Sequence, residues 1–132
     1  MQFVLLVYND PELLDALPAG EADDMMRGCI THADELRRDG ALLDSRMLAA
    51  PITARSVRVR QGRQVLRDGP FAETKELLAG FNLIEAANLD EAVRIATEFP
   101  WTRTGCIEVR PVEDFAAVRA RVFAPEASAT RS

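Results

Sequence analysis

A chain of 132 residues is long enough for one domain with a modest core. Its 16 basic and 21 acidic residues give a net charge of −5, which argues against duplex nucleic acid as a direct partner but not against a protein that itself binds nucleic acid. No apolar run reaches the length of a membrane span, and no basic segment precedes an apolar one at the N-terminus, so neither an anchor nor a signal peptide is read. Cys29 and Cys106 are too few for a disulfide framework and, with His32 as the one histidine, cannot build an ordinary zinc site. A reduced, cytoplasmic protein without metal or cofactor is the expectation.

Residues 2–8, Gln-Phe-Val-Leu-Leu-Val-Tyr, form a β-favouring apolar run stopped by Asn9-Asp10-Pro11. A strand apolar on both faces is covered on both sides. Residues 11–20 read as a turn-rich connection with room for a short helical piece. From Glu21 to Arg38 the period is helical, with Ala22, Met26, Cys29, Ala33 and Leu36 on one face. Glu21, Asp23 and Asp24 suit the positive end of that helix, Arg37 and Arg38 the negative end, and Gly40 a stop.

Residues 41–48 read as a second strand. Ser56-Val57-Arg58-Val59-Arg60 alternates, Gln61-Gly62 is a compact hairpin turn, and Gln64–Arg67 returns, with arginines marking a solvated edge. Leu77-Leu78 fits a short helical turn, and Ala79 to Glu85 a strand. Asn88 caps a further helix with Glu91 three residues on. Leu89, Ala92, Val93, Ala96 and Phe99 form its apolar face, and Pro100 ends it. Cys106–Val112 is the last strand, Glu113–Phe123 a C-terminal helix, and the tail after it has nothing to bury and is expected to be disordered.

Between two of these strands lies Arg67-Asp68-Gly69-Pro70-Phe71-Ala72-Glu73-Thr74-Lys75-Glu76, longer and more charged than a connection there requires. Asp-Gly-Pro is strong turn punctuation. Asp68 through Glu76 resembles the signature of the DGPF-domain branch of the YCII-related (YciI-like) family. Phe3–Tyr8 and Ile107–Val112 resemble that family's ends, so the likeness spans about residues 1–115, with 116–132 as a C-terminal extension.

The element order β-α-β-(hairpin)-β-α-β is, without the hairpin, the α+β split βαβ, or ferredoxin-like, arrangement. Both helices then pack on one sheet face. The other is too apolar to face water, so a second copy is expected to cover it. The resemblance likewise implies a homodimeric α/β barrel. It also implies a link to extracytoplasmic-function sigma factors, beside which such proteins are often encoded.

Asp68 reads in two ways: as a general acid/base partly buried beside Phe71, or as a turn aspartate bonding backbone amides. Glu73, Lys75 and Glu76 read as a polar pocket lining for an anionic or carbonyl-bearing ligand, or as a solvated charge cluster. Glu108 and Arg110 share a strand face opposite Ile107 and Val109, as ligand-binding groups or as an ion pair at a subunit boundary. Tyr8 ends its strand as a ligand donor or as a core residue with a wet tip.

His32 lies at the flank of the apolar stripe and reads as a surface or boundary residue. The resemblance implies a His–Asp dyad on this helix, but that position falls nearer Cys29 here. Cys29 and Cys106 read as packing residues. The function expected is cofactor-free proton transfer on a small organic molecule, in a lyase or isomerase reaction, with Asp68 as acid/base and Arg110 and Lys75 holding substrate charge. The rival is a non-enzymatic ligand-binding or regulatory protein.

Overall fold

The computed structural model describes residues 1–72 and 74–125. The opening apolar segment becomes β1 (Gln2–Asn9), an inner strand paired antiparallel on one side with β5 (Leu77–Glu85) and on the other with β6 (Gly105–Pro111). β2 (Leu42–Met47) adds to β5, giving the sheet order β2-β5-β1-β6. Two crossover helices, α2 (Glu21–Arg38) and α3 (Leu89–Thr97), complete the split βαβ order. A short α1 (Pro11–Asp15) precedes α2, and α4 (Phe115–Val122) follows β6. The fold is thus α+β on an antiparallel sheet. The tail expected to be disordered lies, from residue 126 on, outside the described residues.

Alternation along β1 sorts its side chains. Phe3, Leu5 and Val7 are buried with the helices, whereas Val4, Leu6 and Tyr8 turn to the opposite face and are half-buried. Opposite them in register, Ile84 and Asn82 of β5 join the helix side, while Phe81 and Leu83 join Val4 and Leu6. Ile107 and Val109 pack against the core, so Glu108 and Arg110 lie on the face away from the helices, as their spacing predicts.

Two expectations shift in detail. The buried stripe of α2 is Met25, Cys29, His32 and Leu36, while Ala22 is exposed. The period is the predicted one, but the stripe is displaced because His32, counted as polar, finds partners inside. Leu77 and Leu78 are strand, not helical turn, since both pair with β1 after a register shift between Val7 and Tyr8.

The hairpin forms as read. β3 (Arg55–Arg60) and β4 (Arg63–Asp68) join through Gln61 and Gly62, both at positive φ, the backbone that a two-residue turn between twisted strands requires. It makes a two-stranded sheet of its own, separate from the main one.

Burial separates the two cysteines. Cys29 lies in the core, and burial pushes its thiol up to about 11, only partly opposed by a hydrogen bond involving the Trp101 backbone. Cys106 is exposed. Iodoacetamide at pH 8 should therefore leave Cys29 unlabelled in the native protein and label it in denaturant. Between the ordinary thiol value of 9.0 and about 11, the folded chain keeps a proton that the unfolded chain releases. Stability should fall as pH rises through that window, and Cys29→Ala should flatten the slope in urea titrations.

Candidate functional site

The signature loop is positioned from its start by the hairpin. Gly69, at φ +93°, turns the chain out of β4, and its N–H donates to the Ala54 carbonyl at 2.7 Å. The Ser56 hydroxyl donates to the Gly69 carbonyl at 2.9 Å, and Arg58 Nη2 to the Phe71 carbonyl at 3.3 Å. At the far end, Lys75 Nζ lies 3.6 Å from Asp10 Oδ2. Between these ties the loop walls a cleft of about 690 Å³, with Tyr8, Ser56, Phe71, Thr74, Glu76 and Leu78 in its lining. Most of that lining is apolar, as a small-molecule site requires.

Tyr8 gives the cleft a placed polar group. Its hydroxyl donates to Glu108 Oε1 at 3.4 Å across the sheet face. Burial first, and then the Glu108 carboxylate, raise the phenol above its ordinary value, with Arg110 opposing, so Tyr8 stays a donor. The loop, the end of β1 and β6 thus converge on one region, although their residues are far apart in sequence.

Asp68 departs from expectation. It is the last residue of β4, is exposed, and lies 3.1 Å from Arg55 Nε, its partner directly across the hairpin. The burial beside Phe71 is absent, and so is the alternative turn role. An opposite-charge neighbour on the facing strand was available, and an exposed carboxylate takes it. Phe71 is itself 71% exposed at the cleft wall. Lys75 turns to Asp10, while Glu76 stays on the lining. Arg110 is exposed on β6, opposite Val4. Glu73 lies outside the described residues.

Two residues gain importance beyond their sequence reading. Asp10 is buried, caps α1 by accepting the Glu12 N–H at 3.0 Å, and receives the Lys75 ammonium. An aspartate just before a proline at a helix start was the signal for it. His32, expected at the surface or boundary, is buried, with Nε2 donating to the Ile95 carbonyl at 3.1 Å and its ring edge-on to Phe99. That bond ties α2 to α3, away from the cleft. Among the described residues, no group of three or more His, Cys, Asp or Glu is placed to hold a metal, and no helix is long and apolar enough to cross a membrane.

Comparison with known proteins identifies the family and the fold. The model of the YCII-related domain matches residues 1–116. An uncharacterized protein of Rhizobium meliloti (strain 1021) is 36% identical over 114 residues, covering 85% of this chain and 92% of the relative. Among solved structures, the 5-chloro-2-hydroxyhydroquinone dehydrochlorinase of Burkholderia phenoliruptrix, in complex with 2,5-dihydroxybenzoquinone, superposes with a TM-score of 0.53. At 14% identity, over 86% of this chain and 94% of that one, the likeness shows a shared fold.

Proposed function

The chain belongs to the YCII-related family, and we propose that its cleft takes a small cyclic, carbonyl-bearing molecule and moves a proton on it without a cofactor, as a lyase or isomerase does. One observation carries this reading: the signature loop walls a largely apolar cleft whose lining includes the half-buried Tyr8, its hydroxyl held by Glu108. The Tyr8 O–H exchanges Glu108 for a ligand carbonyl as its acceptor and so polarises it, and Glu76 is the carboxylate on the cleft wall. Asp68, paired with Arg55 outside the lining, keeps the hairpin base in place instead. The structural neighbour adds support, because it is a dehydrochlorinase in complex with 2,5-dihydroxybenzoquinone, a compound of the proposed class.

The sheet face opposite the helices belongs to the same proposal. Val4, Leu6, Phe81 and Leu83 form an apolar surface there, and a second copy of the chain covers it, giving a dimeric barrel. A standard interface of about 1,600 Å² is enough to hold such a dimer once association entropy is subtracted.

The test uses 2,5-dihydroxybenzoquinone itself. The protein should raise its own Tm with this probe and accelerate exchange of the ring hydrogens into D2O, followed by NMR. Tyr8→Phe should slow exchange roughly 5- to 10-fold, the value of one lost hydrogen bond, while leaving the unliganded Tm almost unchanged. Binding with no acceleration over buffer would remove the chemistry. It would favour the second reading, a ligand-binding regulatory protein with the sigma-factor link that the sequence resemblance implies. The exposed, ion-paired Asp68 is the observation on that side.

A further inference from the structure

The hairpin is the part of the molecule that the cleft does not explain. None of its twelve strand residues is buried, and every residue of β4 is exposed. A two-stranded ribbon standing alone in water is marginally stable at best. Its register makes it two-faced. Val57 stands opposite Leu66 and Val59 opposite Gln64, so Val57, Val59 and Leu66 share one side, each more than half exposed. The other side carries Arg58, Arg60, Arg63 and Arg67. Among the described residues, the hairpin's ion pair is Arg55 with Asp68, leaving these four without a carboxylate within 4.0 Å.

Charge indicates what covers such an arm. Residues 55–68 hold five arginines and one aspartate, a net +4, so a chain whose total is −5 carries −9 on everything else. The protein is therefore a basic arm attached to an acidic body, each complementary to the other in a neighbouring molecule.

We infer that the β3–β4 hairpin is a clasp, laid by each protomer of a dimer onto the acidic body of the other, with the Val57, Val59 and Leu66 side inward and the long tip arginines Arg60 and Arg63, which leave the opposite side of the ribbon, reaching round its edges to the carboxylates beside the contact. The inference rests on the dimer proposed above and adds a second contact to it. It also bears on the site. Ser56 and Phe71, at the base of the arm, line the cleft, so an arm held by a partner fixes the wall that the ligand meets, and Phe71 loses its exposure. An arm free in water leaves that wall unsupported.

Sedimentation velocity over a range of protein and salt concentrations tests this, because the substituted side chains are exposed in the protomer. Wild type should be dimeric at micromolar concentration. Val57→Glu with Leu66→Glu should raise the dimer Kd at least tenfold, with the circular dichroism spectrum retained. Arg60→Glu with Arg63→Glu should also weaken the dimer, and should remove much of its dependence on salt between 0.05 and 0.5 M, concentrations at which screening changes severalfold (about a Debye length of 14 to 4 Å). A wild-type dimer indifferent to both double substitutions would overturn the clasp while leaving the sheet-face dimer standing. A wild-type monomer would overturn both. Retention of a monomeric wild type on a single-stranded RNA probe, lost with the arginine substitutions, would assign the arm to nucleic acid and end the proposal.

Discussion

Gly105→Ala should lower the melting temperature by on the order of 10 °C, the largest effect expected of any single methyl group in this protein. Gly105 begins β6 opposite Asn9, where the backbones of β6 and β1 approach closely. A Cβ there would sit 1.9 Å from the Tyr8 carbonyl oxygen and 2.9 Å from the Asn9 Cα. Both are main-chain atoms of an inner strand and cannot swing aside as a flexible side chain would. Relief requires the start of β6 to peel from β1, with loss of ladder hydrogen bonds and displacement of Tyr8. A cost of roughly 3 kcal/mol is in the range for forced backbone shifts in a packed site. Differential scanning calorimetry measures it directly. The same variant should bind the quinone probe weakly even below its melting point, because Tyr8 moves with the backbone. A variant as stable as wild type would mean that the two strands stand further apart than described.

That contact also shows what a sequence can and cannot reveal. The glycine is visible in the sequence, but the carbonyl that excludes a side chain there lies nearly a hundred residues earlier. Local signals were legible wherever their cause was local. The turn at Gln61-Gly62 follows from which residues reach positive φ, and the Asn88 cap forms as spacing predicts, accepting the Glu91 N–H at 2.9 Å. The split βαβ order foretold helices on one face of the sheet, where Phe3 and Leu5 of β1 are buried; the apolar character of β1 on its other face is what leads to the expectation of a second cover. Asp68 was harder to read. Whether it lies in a turn or a strand depends on where the hairpin ends, and whether it is paired depends on which residue of β3 stands opposite. Register decides both, and periodicity alone does not fix register. For the same reason Lys75, a loop charge in the sequence, becomes the partner of a buried aspartate from the end of β1. The site was legible as a loop with a charged signature, but the grouping of Tyr8, Glu76 and Glu108 required the fold.

His32→Ala should destabilise the protein by roughly 3 kcal/mol without changing ligand binding below the transition. The imidazole occupies the seam between α2 and α3, with its ring centroid 4.4 Å from that of Phe99 and Nε2 hydrogen-bonded to the Ile95 carbonyl. A carbonyl can only accept, so Nε2 carries the hydrogen, and Nδ1 is left facing Glu98 Oε2 at 3.5 Å. Alanine removes the ring packing, the aromatic contact and the bond together. His32→Leu restores most of the volume but neither polar contact, so its cost should be about half that of alanine. Glu98→Gln, at a position half open to solvent, should cost less than about 0.5 kcal/mol. Urea unfolding of the three variants separates these contributions. If alanine and leucine prove equally costly, the hydrogen bond to Ile95 rather than the ring's volume holds the helices together. If His32→Ala costs nothing, the ring does not occupy the seam. A loss of catalysis in His32→Leu at unchanged stability would instead place the histidine in the chemistry and move the active region from the cleft to the helices.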